Sequence, residues 1–137
     1  MRRQEPSWVS IGVVRAVHRY QLDAFGGAAG VRDDGLLESA LTRPTHLHRY
    51  NPKASIFELA AAYGFGIAKN HPLIDGNKRT ALVVMGIFLE LNGWRWTAAQ
   101  VETLLKTLAL AAGELSEADL ATWLKTATVR IIHSKKL

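Results

Sequence analysis

The sequence predicts an all-α domain. Apolar residues recur at three- and four-residue spacing through most of the 137 residues, and strict apolar–polar alternation is scarce. Ser/Thr-x-x-Glu/Gln patterns and single glycines punctuate the ends of the periodic segments. A chain of this length forms one domain, 1–137, and buries roughly two-thirds of the surface its unfolded form exposes.

Taken in order, Val14, Val17, Gln21 and Phe25 follow helical spacing, with Ile11 and Val13 ahead of them and Gly26-Gly27 as the stop. "DDGLLESAL" begins a short second helix that should end at Arg43, because Pro44 biases the residue before it away from helical angles. "THLHRYNPKA", Thr45–Ala54, then reads as a polar connection, longer than most helix–helix links and therefore functional or mobile. Ser55 and Glu58 have capping-box spacing, and Ile56, Ala60, Tyr63 and Ile67 continue a third helix to about Asn70.

Pro72 stops that helix and should push His71 toward an extended conformation. A fourth helix spans about 77–92, with Gly93 as its stop. Ala81, Leu82, Val84, Met85, Ile87, Phe88, Leu89 and Leu91 make it apolar around most of its circumference, as expected of the central buried helix. "WRWT" is a short strand or an extended lead-in. Thr97 and Gln100 then suggest a second capping box, followed by Val101, Leu104, Leu105 and Leu108. Ser116 caps a last helix through Trp123 and Leu124, with Leu115 and Leu120 spaced as a hydrophobic staple.

Composition narrows the function. An apolar share of 48% and a charged share of 21% are those of a folded soluble protein. Without cysteine there is neither a disulfide framework nor a Cys-based zinc site, which fits a reducing cytoplasm. The longest uncharged runs, Leu59–Ala68 and Thr80–Leu89, are too short to span a membrane. "MRRQEPSWVS" has no apolar segment behind its arginines, so no secretory leader is expected, and "HSKKL" reads as a frayed basic end. The net charge of +5 favours acidic partners, but the basic residues are spread out rather than striped, and direct nucleic-acid binding is not expected.

The chemistry concentrates in "HPLIDGNKRTAL", His71–Leu82. Asp75-Gly76 is a turn signal, so His71–Gly76 is a loop and "NKRTAL" opens a helix. First-turn N–H groups lack internal partners and the helix dipole is positive there, which suits an anion. Lys78 and Arg79 in that turn oppose the dipole unless an anion arrives. Gly76 lets a phosphate approach the backbone. Asp75 is a hard oxygen ligand suited to magnesium, and His71 titrates near neutrality and can take a hydroxyl proton. These are the parts phosphoryl transfer needs. Each residue singly also fits a polar turn, and two readings stand: a helix–helix connection or a phosphate site. His18, His46, His48 and His133 show no metal-ligand spacing with carboxylates, and there is no Walker-type loop, Gly-x-Gly-x-x-Gly or Gly-x-Ser-x-Gly stretch.

"HPLIDGNKRT" resembles the signature of the Fic/Doc family, in the His-x-Phe-x-Asp-Gly-Asn-Lys-Arg form of its death-on-curing (Doc) branch. "GVRDDGLLESALTRP", "FELAAAYGFGIAKNHP", "ALVVMGIFLELNGW" and "LALAAGELSEADLATWL" are similar to segments of that branch in the same order, from about Tyr20 to Leu124. The resemblance implies a compact bundle of about six helices and a cytoplasmic toxin of a toxin–antitoxin pair. That toxin would be a kinase using ATP and Mg2+ to phosphorylate a threonine of a translation factor, elongation factor Tu foremost, so arresting translation. It further implies His71 as general base, Asp75 as the magnesium ligand, and Gly76, Asn77, Lys78 and Arg79 as phosphate binders. Thr45–Ala54 would be the flap that aligns the target segment, and Arg32 would face nucleotide or antitoxin, or else pair with Asp33 or Asp34.

Relatives with the full Fic motif transfer AMP instead. They carry Gly after the Asn and a second Arg three residues beyond the first, where this chain has Lys78 and Leu82. Both differences favour the kinase arrangement, since Lys78 fills space and the missing arginine removes a phosphate-gripping fork. Leu73 stands where the family usually has the Phe that anchors the loop. No self-inhibitory Ser/Thr-x-x-x-Glu-Gly/Asn pattern is found, so control is expected from an antitoxin whose tail folds into a groove on the toxin. AMP transfer, or an inactive antitoxin-binding module, are the alternatives.

Overall fold

The computed structural model describes residues 5–132. Its elements run α1 (Ile11–Phe25), α2 (Asp34–Tyr50), α3 (Ile56–Asn70), α4 (Asn77–Leu91), β1 (Trp94–Trp96), α5 (Gln100–Ala111), α6 (Glu117–Thr126) and β2 (Thr128–Arg130). The fold is all-α, with a two-stranded antiparallel ribbon in which Trp94 faces Arg130 and Trp96 faces Thr128. "WRWT" thus supplies a strand, and its partner directly follows α6.

Two helices share the centre. α4 buries Thr80, Ala81, Val84, Met85, Phe88 and Leu89, as its apolar circumference predicts. α3 is buried along most of its length and packs on α2, α4 and α6. Small residues permit this close approach: a Cβ at Gly64 would overlap the Met85 side chain, and one at Gly66 would lie 3.3 Å from the Ala40 Cα. The Ser55–Glu58 capping box forms in both directions and fixes where α3 begins.

Two expectations about boundaries do not hold. α2 does not end at Arg43; it continues through Pro44 to Tyr50, so most of the expected connection is helix and only a short turn precedes Ser55. Pro44 removes an N–H from the ladder, but Leu37, Ala40, Leu41 and Pro44 are all buried against the core, and that burial outweighs the local preference. Second, Thr97 is not a helix cap. Its backbone N–H and its Oγ1 both donate to Ala127 O, at 2.8 and 3.3 Å, tying it to the ribbon, and Ala99 precedes α5 with no side-chain cap. Ser116 does cap α6, accepting from Asp119 N–H, and Leu120 is buried beside partly buried Leu115.

α1 ends at Phe25 ahead of Gly26 as its spacing implies, and Phe25 is exposed there. No helix among the described residues is long and apolar enough to cross a membrane. The expectations for the N-terminal "MRRQEPSWVS" and the C-terminal "HSKKL" fall in part and in whole, respectively, outside residues 5–132.

Candidate functional site

The loop 71–76 is held by its own buried members. Pro72 and Leu73 are buried, and Leu73 is only 2% exposed, so leucine anchors the loop in the core. Buried Asn77 latches it: Oδ1 accepts from Leu73 N–H at 3.0 Å, and Nδ2 donates to Leu73 O at 2.9 Å. The same Nδ2 lies 3.1 Å from His71 Nδ1. Leu73 thereby fixes which way the amide faces, and His71 Nδ1 accepts its hydrogen.

His71 is not extended. It caps α3 in the left-handed region, with φ 52° and ψ 51°. For a residue with a Cβ this costs on the order of 1–3 kcal/mol and persists only where its surroundings enforce it. The enforcement comes from the segment between α1 and α2. Gly30 O accepts from Ile74 N–H at 3.1 Å, and Pro72 O accepts from the N–H groups of Arg32 and Asp33 at 2.7 and 3.1 Å. The Arg32 side chain donates from Nε to His71 O at 2.8 Å and from Nη2 to Asn70 O at 2.9 Å. Arg32 therefore makes no ion pair with either neighbouring aspartate: Asp33 caps α2 and Asp34 pairs with Arg15 at 3.3 Å.

At the other end of the loop, Gly76 occupies the left-handed N-cap of α4 at φ 80°, and α4 has no side-chain cap. The first backbone bond is Thr80 N–H to Gly76 O, which leaves the N–H groups of Asn77, Lys78 and Arg79 available to an anion. Asp75 Oδ1 accepts from Gly76 N–H at 2.8 Å. Its Oδ2 lies where a Cβ at Gly27 would be 2.8 Å away, so the glycine keeps that oxygen approachable. One carboxylate with a free oxygen fits magnesium, which keeps waters and takes other oxygens from phosphate. Among the described residues there is no group of three or more metal-ligating side chains.

His71, Asp75, Lys78 and Arg79 are all exposed, the first two on the loop and the last two in the first turn of α4. The Arg79 guanidinium lies 4.5 Å from the centroid of the Phe25 ring, which explains the exposed aromatic at the end of α1. Buried His18 donates from Nε2 to Asp75 O at 2.8 Å. Neither His18 nor Phe25 was assigned to the site from sequence. For His18 the signal was its place between Val14 and Gln21 on the buried face of α1. Beside the site, a cleft of about 690 Å3 runs between α2 and α3 and reaches Asn70; Arg43, Arg49, Lys69 and Phe65 are among its walls.

The profile of the Fic/DOC family matches residues 8–89, which take in α1 to α3, the whole loop and most of α4. Two curated relatives match as well. The chain is 44% identical over 71 residues to "Toxin Doc" of Mycolicibacterium smegmatis, covering 51% of this chain and 55% of that protein. It is 32% identical over 111 residues to "Protein kinase doc" of Escherichia phage P1, covering 80% of this chain and 86% of that protein. The chain thus spans about half the length of the first relative and most of the second.

Proposed function

The chain belongs to the Fic/Doc family, and from that premise we propose that it is the toxin of a toxin–antitoxin pair that phosphorylates a protein hydroxyl. The donor is ATP, and the acceptor is a threonine of a translation factor, with elongation factor Tu first among the candidates. One observation carries the reading: the uncapped first turn of α4 offers three N–H groups beside Asp75, Lys78 and Arg79, on the loop that presents His71.

In the proposed reaction the threonine oxygen attacks the γ-phosphorus, the bond from that phosphorus to the β–γ bridging oxygen breaks, and ADP leaves. His71 takes the hydroxyl proton. With Nδ1 accepting from Asn77, the neutral ring carries its proton on Nε2. For Nε2 to take the proton the ring must carry its own proton on Nδ1, a tautomer that gives up the hydrogen bond from Asn77. The N–H groups, Lys78 and Arg79 bind phosphate oxygens, while buried Asn77 serves by holding the loop. Asp75 would hold magnesium, which neutralises phosphate charge when bound.

The kinase direction is supported by Lys78 and Leu82 at the two positions where AMP-transferring relatives carry Gly and Arg, and by the name of the phage relative. An antitoxin partner is supported by an apolar groove of about 450 Å3 between α4, β1 and α5, beside exposed Leu104, Leu105 and Leu108, which suits an amphipathic helix. Among the residues lining it Glu90 is charged and none is Lys or Arg, so the groove offers an apolar face rather than a basic one. ATP labelled at the α or the γ position tests the chemistry. Label transferred to protein from γ alone is expected; transfer from α alone would replace the kinase with an AMP transferase. Growth arrest on expression, lost in His71→Ala, would separate an enzyme from an inactive antitoxin-binding module.

A further inference from the structure

We propose that Arg32 is a positioning residue for His71: its guanidinium fork grips the last carbonyls of α3 and so fixes the left-handed backbone from which the imidazole projects. The proposal rests on the reading of His71 as proton acceptor. Three successive carbonyls, of Asn70, His71 and Pro72, take hydrogen bonds from Arg32 and Asp33. Two of them are held by the Arg32 side chain alone, at 2.8 and 2.9 Å. These carbonyls sit at the negative end of the α3 dipole, where a cation is favoured, and a planar fork spans two acceptors as a lysine ammonium does not.

The fork acts where the backbone is under strain, because His71 is the one non-glycine residue with positive φ among the described residues. In the resting structure Asn77 donates to the ring at Nδ1, so backbone and ring are contacted by different residues. Among the described residues no acidic side chain pairs with the guanidinium, and Asp33 and Asp34 are engaged elsewhere.

Arg32→Lys and Arg32→Ala test this in the full chain. Both should lower kcat, by roughly 10–100-fold, because misplacing a reacting group by about an ångström has an effect of that order. KM for ATP should not change, and the thermal midpoint of the lysine variant should stay near that of the parent. Unchanged turnover, or a loss carried entirely by KM, would overturn the assignment. A second readout needs no reaction: the His71 ring resonances in nitrogen–proton spectra of the imidazoles should move in both variants. If they coincide with those of the parent, Arg32 does not position the ring. If the parent transfers nothing from ATP, the functional reading fails, yet the spectra still decide the role of Arg32. Should Arg32→Ala not fold, the lysine variant is decisive.

Discussion

Asn77 shows how a single side chain can set a loop. Its amide closes on both backbone groups of Leu73 and on His71, and it is buried. Asn77→Ala strands the Leu73 N–H and C=O, and leaving buried backbone groups unpaired costs about 1–3 kcal/mol each. Urea denaturation of that variant should report a loss of this order, with phosphoryl transfer reduced as well. Lys78→Ala and Arg79→Ala should leave the urea midpoint close to the parent while weakening ATP binding roughly tenfold or more, the scale of one charge-assisted hydrogen bond. Calorimetric titration showing unchanged ATP affinity in both variants would remove the anion site. The places of Asp75, Gly76, Lys78 and Arg79 at the start of α4 were legible in sequence because a turn signal and a helix start are written within a few residues. The left-handed backbone of His71 was not: the preference imposed by Pro72 is local, whereas the groups that override it lie 38 and 39 residues away on Arg32.

Helix positions followed from periodicity, and helix ends did so only where a cap is local. The Ser55–Glu58 box and the Ser116 cap formed as their spacing implies, since both partners lie within one turn. Pro44 and Thr97 went the other way. At Pro44 the gain comes from burying α2 against α3, and at Thr97 it comes from Ala127, thirty residues on. The α3–α4 contact can be tested directly. Gly64→Ala places a Cβ against Met85, and overpacking of this kind costs about 1–3 kcal/mol. A lowered thermal midpoint is expected, and a midpoint equal to the parent's would mean that Met85 swings aside without penalty.

Across the molecule, the N-terminal segment is strapped over the core. Ser7 exchanges hydrogen bonds with the Asn92 side chain, Trp8 stacks on Phe88, and the Tyr63 hydroxyl accepts from Val9 N–H at 2.9 Å. Burial raises the Tyr63 pKa above its ordinary value, and the hydrogen bond from Val9 opposes part of that shift. An acid whose folded pKa lies above its unfolded one stays protonated in the fold after the unfolded chain has released its proton. Its stabilisation is therefore complete below pH 10 and is lost as pH rises through the folded value. Tyr63→Phe should cost about 1–3 kcal/mol at neutral pH by stranding the Val9 N–H, and its thermal midpoint should fall less steeply in alkali than the parent's.

Sequence alone determined where the helices run, which loop joins α3 to α4 and which residue types gather at the start of α4. All of that is written in interactions spanning a few positions, which periodicity, caps and turn residues report. Only the tertiary structure decided that α2 passes through Pro44, that Phe25 lies beneath Arg79, and that Arg32 holds the histidine backbone. Those outcomes depend on groups distant in the chain, and their burial and hydrogen bonds exceed the local preferences they override.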